Sequence, residues 1–369
     1  NATGAEAKAI NVAALTGAVT TTAVYAVTDT VANLNTLVGN GDALTALNGA
    51  SSVTFSNAVT NVTELKAINT ALNGASGGLT AVASGYELTE QRTDVLGNLT
   101  EANAAGKVTV TDVLTVAQAN SIEALSNTGA NSYTLSDSVD ALLASTAAVK
   151  TGASAVQTST TPLSVSQMNQ LVSAYGTDDL SDLTLAVAGT VAELATLTAE
   201  SLAEIKTAGG GGSLSVTGGT SASLAEVVAL KTTLGTTYAS LLPAYSVTDS
   251  QSNLTTGVAD ATNLVVLNSA ASVTLTGAAT VDQVADINTK LTAESGGLTA
   301  IAAGYDLNDS AANLAAATAS SVVDGASTIT VSGGATVAQV SAVATYFTVT
   351  GPDAGYGTDI VYSLVDSSA

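Results

Sequence analysis

The chain has 369 residues, of which 30 are acidic and 8 are basic, and its net charge is −22. Binding to nucleic acid or to an anionic membrane surface is therefore not expected, because both need a basic patch. Cys and His are absent, which excludes a disulfide framework and removes the commonest general base and transition-metal ligand.

The first predicted element is a helix that begins after Thr3, since Thr3 and Glu6 have the spacing of a capping box. The first residues lack the charged and apolar regions of a signal peptide. We therefore expect either that a leader has been removed or that export uses another signal. No apolar run is long enough for a transmembrane helix, so membrane insertion is not expected.

A tyrosine segment, YAVTDTVANL, begins at Tyr25. It predicts a short strand, then an Asp or a hydroxyl residue as helix N-cap, then an apolar helix. Near-copies begin at Tyr133, Tyr245 and Tyr305, and a shortened one begins at Tyr362. We expect each of their aspartates to accept hydrogen bonds from free N–H groups at a helix start. These aspartates are Asp29, Asp137, Asp249, Asp309 and Asp366.

The second half of each unit is a strand that alternates Val, Ile or Leu with Thr or Ser, so one of its faces should be buried. These strands begin at Val53, Val108, Leu214, Val273 and Ile329. A capping box then opens the next helix, with Ser, Thr or Asn three residues before Glu or Gln. The boxes are Thr3/Glu6, Asn61/Glu64, Thr115/Gln118, Ser164/Gln167, Thr190/Glu193, Ser223/Glu226, Thr280/Gln283 and Thr336/Gln339.

The repeats divide the chain into three predicted sections. Residues 67–88 (AINTALNGASGGLTAVASGYEL) and 286–307 (DINTKLTAESGGLTAIAAGYDL) are near-copies, which indicates an internal duplication. The interval from Tyr133 to Tyr245 is long enough for two diverged units. We predict repeat units in 1–133 with the first incomplete, diverged middle repeats in 134–244, and repeat units in 245–369 with the last incomplete.

The order strand, helix, strand, helix predicts an α/β fold with mainly parallel strands and helical crossovers. Because the units differ in length, we expect an elongated, open, solenoid-like array rather than a closed barrel. The apolar residues are mostly Ala, Val and Leu, with 3% aromatic residues. Such a core of thin layers suits stacked repeats, in which each unit touches its neighbours.

The pattern formed by the tyrosine segment, the V-T-V-T strand and the T-V-A-Q helix start resembles repeats of large bacterial surface proteins. These are described as RTX-type adhesins, S-layer-like proteins or β-strand repeat proteins, and the resemblance covers nearly the whole chain. It implies export, commonly by type I secretion, and an extracellular structural or adhesive role. The chain departs from the RTX pattern because the calcium-binding GGxGxD nonapeptide is absent; GGGGSL at 209–214 lacks the Asp.

One acidic cluster is a candidate metal site. Asp178, Asp179 and Asp182 lie in the sequence TDDLSD. Calcium takes six to eight oxygen ligands, and these carboxylates with neighbouring carbonyl groups could supply several. The plainer interpretation, a solvated turn and helix cap, is favoured because the cluster lacks the spacing of a known calcium loop. Calcium is the one cofactor that the sequence suggests.

Catalysis is not expected. Without His or Cys the ordinary catalytic triads are impossible, and lysines such as Lys66 and Lys290 lie near acidic residues on repeat helices, where they indicate surface pairs. A glycosidase-like carboxylate pair stays open. Repetition argues against it, because active sites are rarely built by duplicating a scaffold.

We therefore expect a non-enzymatic, extracellular structural protein that forms or extends a surface filament, S-layer or adhesin stalk. The chain starts and ends within a repeat, and two explanations stay open: it is a fragment of a longer chain, or copies join head to tail. The alternative function is a surface binding module for a glycan, ice or a cell. In that case Thr pairs such as Thr109/Thr111, Thr274/Thr276 and Thr328/Thr330 would form a flat hydroxyl array, although Thr is also an ordinary exposed strand residue.

Overall fold

The fold is mixed α/β. A computed structural model describes residues 1–15, 24–75, 78–176, 180, 185–207, 211–293, 297–317, 321–349 and 359–364. Within these residues the chain forms nineteen α-helices and sixteen strands in five small sheets. No sheet formed by the described residues is closed, which agrees with the expectation of an α/β fold without a barrel.

The strands are β1 Ala26–Asp29, β2 Ser52–Phe55, β3 Glu87–Glu90, β4 Lys107–Leu114, β5 Ser132–Asp137, β6 Ala153–Thr158, β7 Leu163–Ser164, β8 Ala186–Gly189, β9 Ser213–Val216, β10 Ser221–Ala222, β11 Ser246–Ser250, β12 Val273–Thr276, β13 Ala278–Ala279, β14 Tyr305–Ser310, β15 Ala326–Ala335 and β16 Asp359–Leu364.

The helices are α1 Gly4–Leu15, α2 Val31–Val38, α3 Gly41–Asn48, α4 Val62–Gly74, α5 Arg92–Gly97, α6 Leu99–Ala104, α7 Val116–Glu123, α8 Val139–Ala144, α9 Ala147–Gly152, α10 Val165–Tyr175, α11 Val191–Leu194, α12 Ala199–Thr207, α13 Leu224–Leu234, α14 Gln251–Ala259, α15 Ala261–Asn268, α16 Val281–Ala293, α17 Ala311–Ala316, α18 Ser321–Asp324 and α19 Val337–Val349. A short 3-10 helix spans Ala239–Leu241.

The chain divides into two compact units. The first contains Asn1–Thr161, Gln170–Thr184 and Thr207–Gly210, and the second contains Pro162–Asn169, Leu185–Lys206 and Gly211–Ala369. The first unit holds the sheets β1-β2 and β3-β4-β5-β6, and the second holds β7-β8-β9, β10-β11-β12 and β13-β14-β15-β16. The three predicted sections, 1–133, 134–244 and 245–369, stay a prediction.

Within each of the five sheets, neighbouring strands are consecutive in the chain and pair in parallel. Val27 lies opposite Val53, Val247 opposite Val273, and Leu307 opposite Ile329. Parallel neighbours need a crossover connection, and helices supply it here. The predicted parallel arrangement of tyrosine-segment strands and Thr-rich strands is thus confirmed in each sheet that contains both.

Several strands are divided by a kink, and their two parts pair with different neighbours. In the second unit, β9 pairs with β8 and β10 pairs with β11; similarly, β12 pairs with β11 and β13 pairs with β14. The residues between the two parts include Gly218, Gly219 and Gly277, which all have positive φ, a conformation that favours glycine. In the first unit, β4 pairs with β3 and, after a register shift, with β5. A kinked strand therefore pairs with the strand before it through one part and with the strand after it through the other.

The core lies between the sheets and the helices. Val53, Val108, Val273 and Ile329 are fully buried, as the alternating pattern predicts, and the Thr residues beside them point away from the core. Helices contribute aliphatic residues at helical spacing, as in α16, where the buried residues are Val281, Val284, Ile287 and Leu291. One expectation was too simple: the apolar helix after β1 is two helices, α2 and α3, separated at Gly39 and Asn40.

Candidate functional site

The aspartates and hydroxyl residues of the tyrosine segments lie where a strand ends and a helix begins. The helix N-cap in each tyrosine segment is the hydroxyl residue after the aspartate, not the aspartate itself. These N-caps are Thr30, Ser138, Ser250 and Ser310. The sequence allowed an Asp or a hydroxyl residue as the N-cap, and the hydroxyl alternative is confirmed for these helices. The aspartate is not the N-cap because the strand extends through it.

Asp309 shows what the aspartate does instead. It is 6% exposed. Its Oδ2 accepts a hydrogen bond of 3.0 Å from the backbone N–H of Val281, the first residue of α16. Its Oδ1 accepts from the N–H of Ser310 at 2.7 Å and from the side-chain amide of Asn313 at 2.8 Å. The carboxylate thus satisfies a free N–H at the start of the preceding helix and also binds the start of its own helix.

The same arrangement occurs at Asp29 and Asp249. Asp29 accepts from the N–H of Gly4 at 3.0 Å, and Asp249 accepts from the N–H of Leu224 at the same distance. Each also accepts from the next backbone N–H and from an asparagine side chain four residues later, Asn33 or Asn253. Both aspartates are buried. Three copies with the same set of partners indicate a built feature of the repeat.

Other side chains make the equivalent long-range contact at other helices. In each case a polar side-chain atom in the next strand, or within two residues after it, accepts from the first N–H of a helix. The pairs are Asn57 with Val31, Glu90 with Val62, Asp112 with Arg92, Asp137 with Val116, and Thr160 with Val139. We call these eight contacts, including those of Asp29, Asp249 and Asp309, the strand-to-helix caps. They join helix starts to strands 20 to 28 residues later.

The surroundings of Asp29 favour its ionised carboxylate. Burial opposes the charge on Asp29, but hydrogen bonds from the Asn33 side chain and from the N–H groups of Gly4 and Thr30 outweigh it and hold the pKa of this carboxyl below its ordinary value. The positive end of the α1 dipole acts in the same direction. Sequence reasoning identified these aspartates, but it could not identify the partner helix, which is distant in the chain.

The repeated tyrosines are structural as well. Their hydroxyl groups donate to helix carbonyl oxygens: Tyr25 to Ala46 at 2.6 Å, Tyr245 to Val266 at 2.8 Å, and Tyr305 to Val322 at 2.5 Å. Burial raises the pKa of each of these hydroxyl groups. The tyrosines therefore bind the second helix after each strand, namely α3, α15 and α18, and none of these hydroxyls is poised for proton transfer at neutral pH.

The repeat departs from this plan in the diverged section. The sequence LAVAGTVAEL from Leu185 occupies the place of a tyrosine segment, with Leu185 for Tyr, Gly189 for Asp and Glu193 for Asn. A Cβ added at Gly189 would lie 3.1 Å from Val165 Cγ2 and 3.2 Å from Glu193 Oε2. The carboxylate of Glu193 instead completes a capping box with Thr190. Here the chain lacks the aspartate that makes the strand-to-helix cap elsewhere.

The polar face of the sheets carries hydroxyl groups that bond to one another. Thr28 Oγ1 lies 2.9 Å from Thr54 Oγ1, and Ser272 donates to Ser246 at 3.0 Å. The Thr residues singled out by sequence lie on this face: Thr109, Thr274, Thr328 and Thr330 are half-buried, and Thr111 and Thr276 are exposed. The face is uncharged at these positions. Its hydroxyl groups are in part satisfied internally, which leaves fewer of them for a ligand.

The predicted calcium residues, Asp178, Asp179 and Asp182, lie outside the described residues, as does Asp366. Within the described ranges no group of three or more acidic residues could hold a metal ion.

A groove of about 460 Å³ between α16 and α18 is lined by uncharged residues such as Asn288, Thr289 and Thr292. In the part of the chain that the structure describes, no helix has the length and apolar character needed to span a membrane.

No protein-family model matches the chain, and no curated protein matches it significantly. The arrangement of the described residues can therefore be judged only on its own chemistry. Its repeated polar contacts join the start of a helix to the next strand along the chain. The buried carboxylates of Asp29, Asp249 and Asp309 each accept hydrogen bonds from backbone N–H groups.

Proposed function

We propose that this chain is an extracellular structural repeat protein whose strand-helix-strand-helix units form an elongated, solenoid-like array. The observation that carries the proposal is the recurrence of the strand-to-helix cap, which joins the start of a helix to a side chain in or just after the next strand at eight helices among the described residues. In a stacked array each unit touches only its neighbours, and such caps are contacts between neighbours. The kinked strands, which pair with successive neighbours, support the same arrangement.

The array would form or extend a bacterial surface filament, S-layer or adhesin stalk, and the chain is not an enzyme. The partner is a second copy, joined head to tail, or the continuation of a longer chain; a cell-surface polysaccharide is a further candidate. β16 is an edge strand of its sheet among the described residues, and an unpaired edge is a ready site for another strand. A contact of this kind that does not close on itself gives a filament.

Sedimentation velocity and small-angle X-ray scattering test the proposal in solution. An elongated particle, with larger species that grow with protein concentration, is the expected result. A compact particle of constant mass would overturn both the array and its assembly.

Antibody labelling of intact source cells tests the location: surface labelling is expected, and labelling that needs permeabilised cells would contradict an extracellular role. Scattering in calcium and in EDTA tests whether calcium takes part.

The second candidate is a binding module that uses the hydroxyl face of β11 and β12, which carries Thr248, Thr274 and Thr276. The specific observation in its favour is that Thr248 lies opposite Thr274, and Ser250 opposite Thr276, on these neighbouring parallel strands. Replacing Thr276 with Lys, with Thr36→Lys on an exposed helix as the control, would weaken polysaccharide retention in this case only for the strand variant. Equal retention of both variants and the natural chain would reject this candidate.

A further inference from the structure

Three Asn-Gly pairs occur in the first unit, at Asn40, Asn48 and Asn73. In such a pair the backbone nitrogen of glycine can attack the side-chain amide carbon of asparagine, because glycine has no side chain to hinder the approach. Asparagine is for this reason among the thermolabile residues. The local sequences are chemically alike, so the folded structure decides which pair reacts.

The side chain of Asn48 is buried and held by hydrogen bonds. It is 3% exposed; its Nδ2 donates to the carbonyl of Leu72 at 2.8 Å, and its Oδ1 accepts from the N–H of Leu79 at 3.0 Å. The attacking group is also engaged, since the N–H of Gly49 donates to the carbonyl groups of Leu47 and Thr45. Reaction at Asn48 requires that all of these bonds open together.

Asn40 is exposed but held in a defined conformation. It is the N-cap of α3, and its Oδ1 accepts from the N–H of Ala43 at 3.1 Å. Turning the side chain toward the nitrogen of Gly41 would break this cap, which stabilises the start of the helix. The cap therefore slows the reaction at Asn40.

Asn73 is neither held in buried hydrogen bonds, as Asn48 is, nor an N-cap, as Asn40 is. It is exposed and is the second-last residue of α4, and Gly74 is the last. A side chain at Gly74 would meet nothing within 4 Å, so no packed neighbour covers this end of the helix. Helix ends open with little cost in free energy. We propose that Asn73 is the site of spontaneous deamidation in the folded chain.

In the reaction, the nitrogen of Gly74 bonds to Cγ of Asn73 and ammonia leaves, which gives a cyclic imide. Water then opens the ring to aspartate or isoaspartate. The product adds a negative charge to the C-terminal turn of α4, where the helix dipole already disfavours negative charge. This position differs between the two copies of the repeat, because Asn73 and Gly74 correspond to Thr292 and Ala293. The second copy cannot undergo the reaction there.

Peptide mass mapping after prolonged incubation at mildly alkaline pH tests the proposal. In the folded chain Asn73 should convert at least about ten-fold faster than Asn48, because local opening is easier at a helix end than in the core. In urea all three asparagines should react at similar rates. The variant Asn73→Thr, which copies Thr292, should remove the main product. Conversion of Asn40 or Asn48 as fast as Asn73 in the folded chain, or an unreactive Asn73, would overturn the proposal.

Discussion

Asp309 Oδ2 lies 3.0 Å from the backbone nitrogen of Val281, a residue 28 positions earlier in the chain. The bond joins the end of β14 to the start of α16, and it is buried at both ends. Because eight such caps occur among the described residues, removing one partner should reveal how strongly successive elements depend on each other.

Asp309→Ala should lower the free energy of unfolding by about 2 kcal/mol, since a buried N–H loses a charged acceptor. Asp309→Asn should cost less, because an amide oxygen can accept the same bond, as Asn57 does for Val31. Asp306→Ala is the matched control: Asp306 is on the same strand but exposed, and its loss should be close to neutral. Urea unfolding followed by circular dichroism measures all three, and equal effects at the two positions would contradict the role of the cap.

Asp29→Asn should show a pH-dependent effect. The pKa of Asp29 is lower in the folded chain than its ordinary value of 3.8, so the ionised carboxylate stabilises the fold above that pH. This stabilisation is lost as pH falls through the lower, folded pKa. We expect the natural chain to be more stable than the variant at pH 7 and the difference to shrink in acid.

The control for this measurement is Asp42→Asn, which changes an exposed carboxylate in the first turn of α3. Its effect should be small at neutral pH and in acid alike. A stability difference for Asp29→Asn that stays constant from neutral to acid pH would show that ionisation of Asp29 contributes nothing to the fold.

Tyr305→Phe removes the hydroxyl that donates to the carbonyl of Val322, and we expect a loss of about 1 kcal/mol at neutral pH. Burial and the nearby Asp324 raise the pKa of Tyr305 to about 12. A raised pKa means that its stabilisation is present below the ordinary value of 10 and is lost as pH rises through 12. The difference between the natural chain and the variant should therefore shrink in strong alkali.

Tyr238→Phe serves as the control, because the hydroxyl of Tyr238 has no hydrogen bond among the described residues. It should leave stability nearly unchanged. If Tyr305→Phe proves as harmless at neutral pH as Tyr238→Phe, the hydroxyl of Tyr305 does not hold α18, the second helix after its strand.

Gly189 and Glu193 should be energetically coupled. Placing Asp at position 189 alone would bring two carboxylates together, since a Cβ there already lies 3.2 Å from Glu193 Oε2. Adding Glu193→Asn supplies the amide donor that Asn33 provides to Asp29. The double variant should be more stable than Gly189→Asp by about 1 kcal/mol, a coupling typical of residues in contact. A double-mutant cycle measures the coupling, and strict additivity would contradict the equivalence of these positions with Asp29 and Asn33.

Local signals in the sequence predicted local structure well. Seven of the eight capping boxes have both hydrogen bonds, as at Thr115 and Gln118. At the eighth, Asn61 accepts from the N–H groups of Thr63 and Glu64. Alternation of Val and Thr also located the buried face of each Thr-rich strand. Both signals act over a few residues, where spacing alone fixes the geometry.

Features that depend on distant residues were missed. The partner of Asp309 is 28 residues away, and nothing in the segment around it identifies Val281. The division of a strand at Gly277 was missed for the same reason, because the two parts are distinguished only by the neighbours with which they pair. The internal duplication does predict that a contact in one copy recurs in the other. Asn69 accepts from the N–H of Val82, and Asn288 makes the corresponding bond with Ile301.

Negative-stain electron microscopy of the purified chain, with calcium and with EDTA, tests the central claim most directly. The account predicts narrow rods, joined end to end into filaments with an axial repeat near the length of one chain. Loss of the filaments in EDTA would add calcium to the assembly, and separate rods in both conditions would mean that the array does not polymerise by itself. Round, compact particles in both conditions would contradict the elongated repeat array and, with it, the proposed structural function.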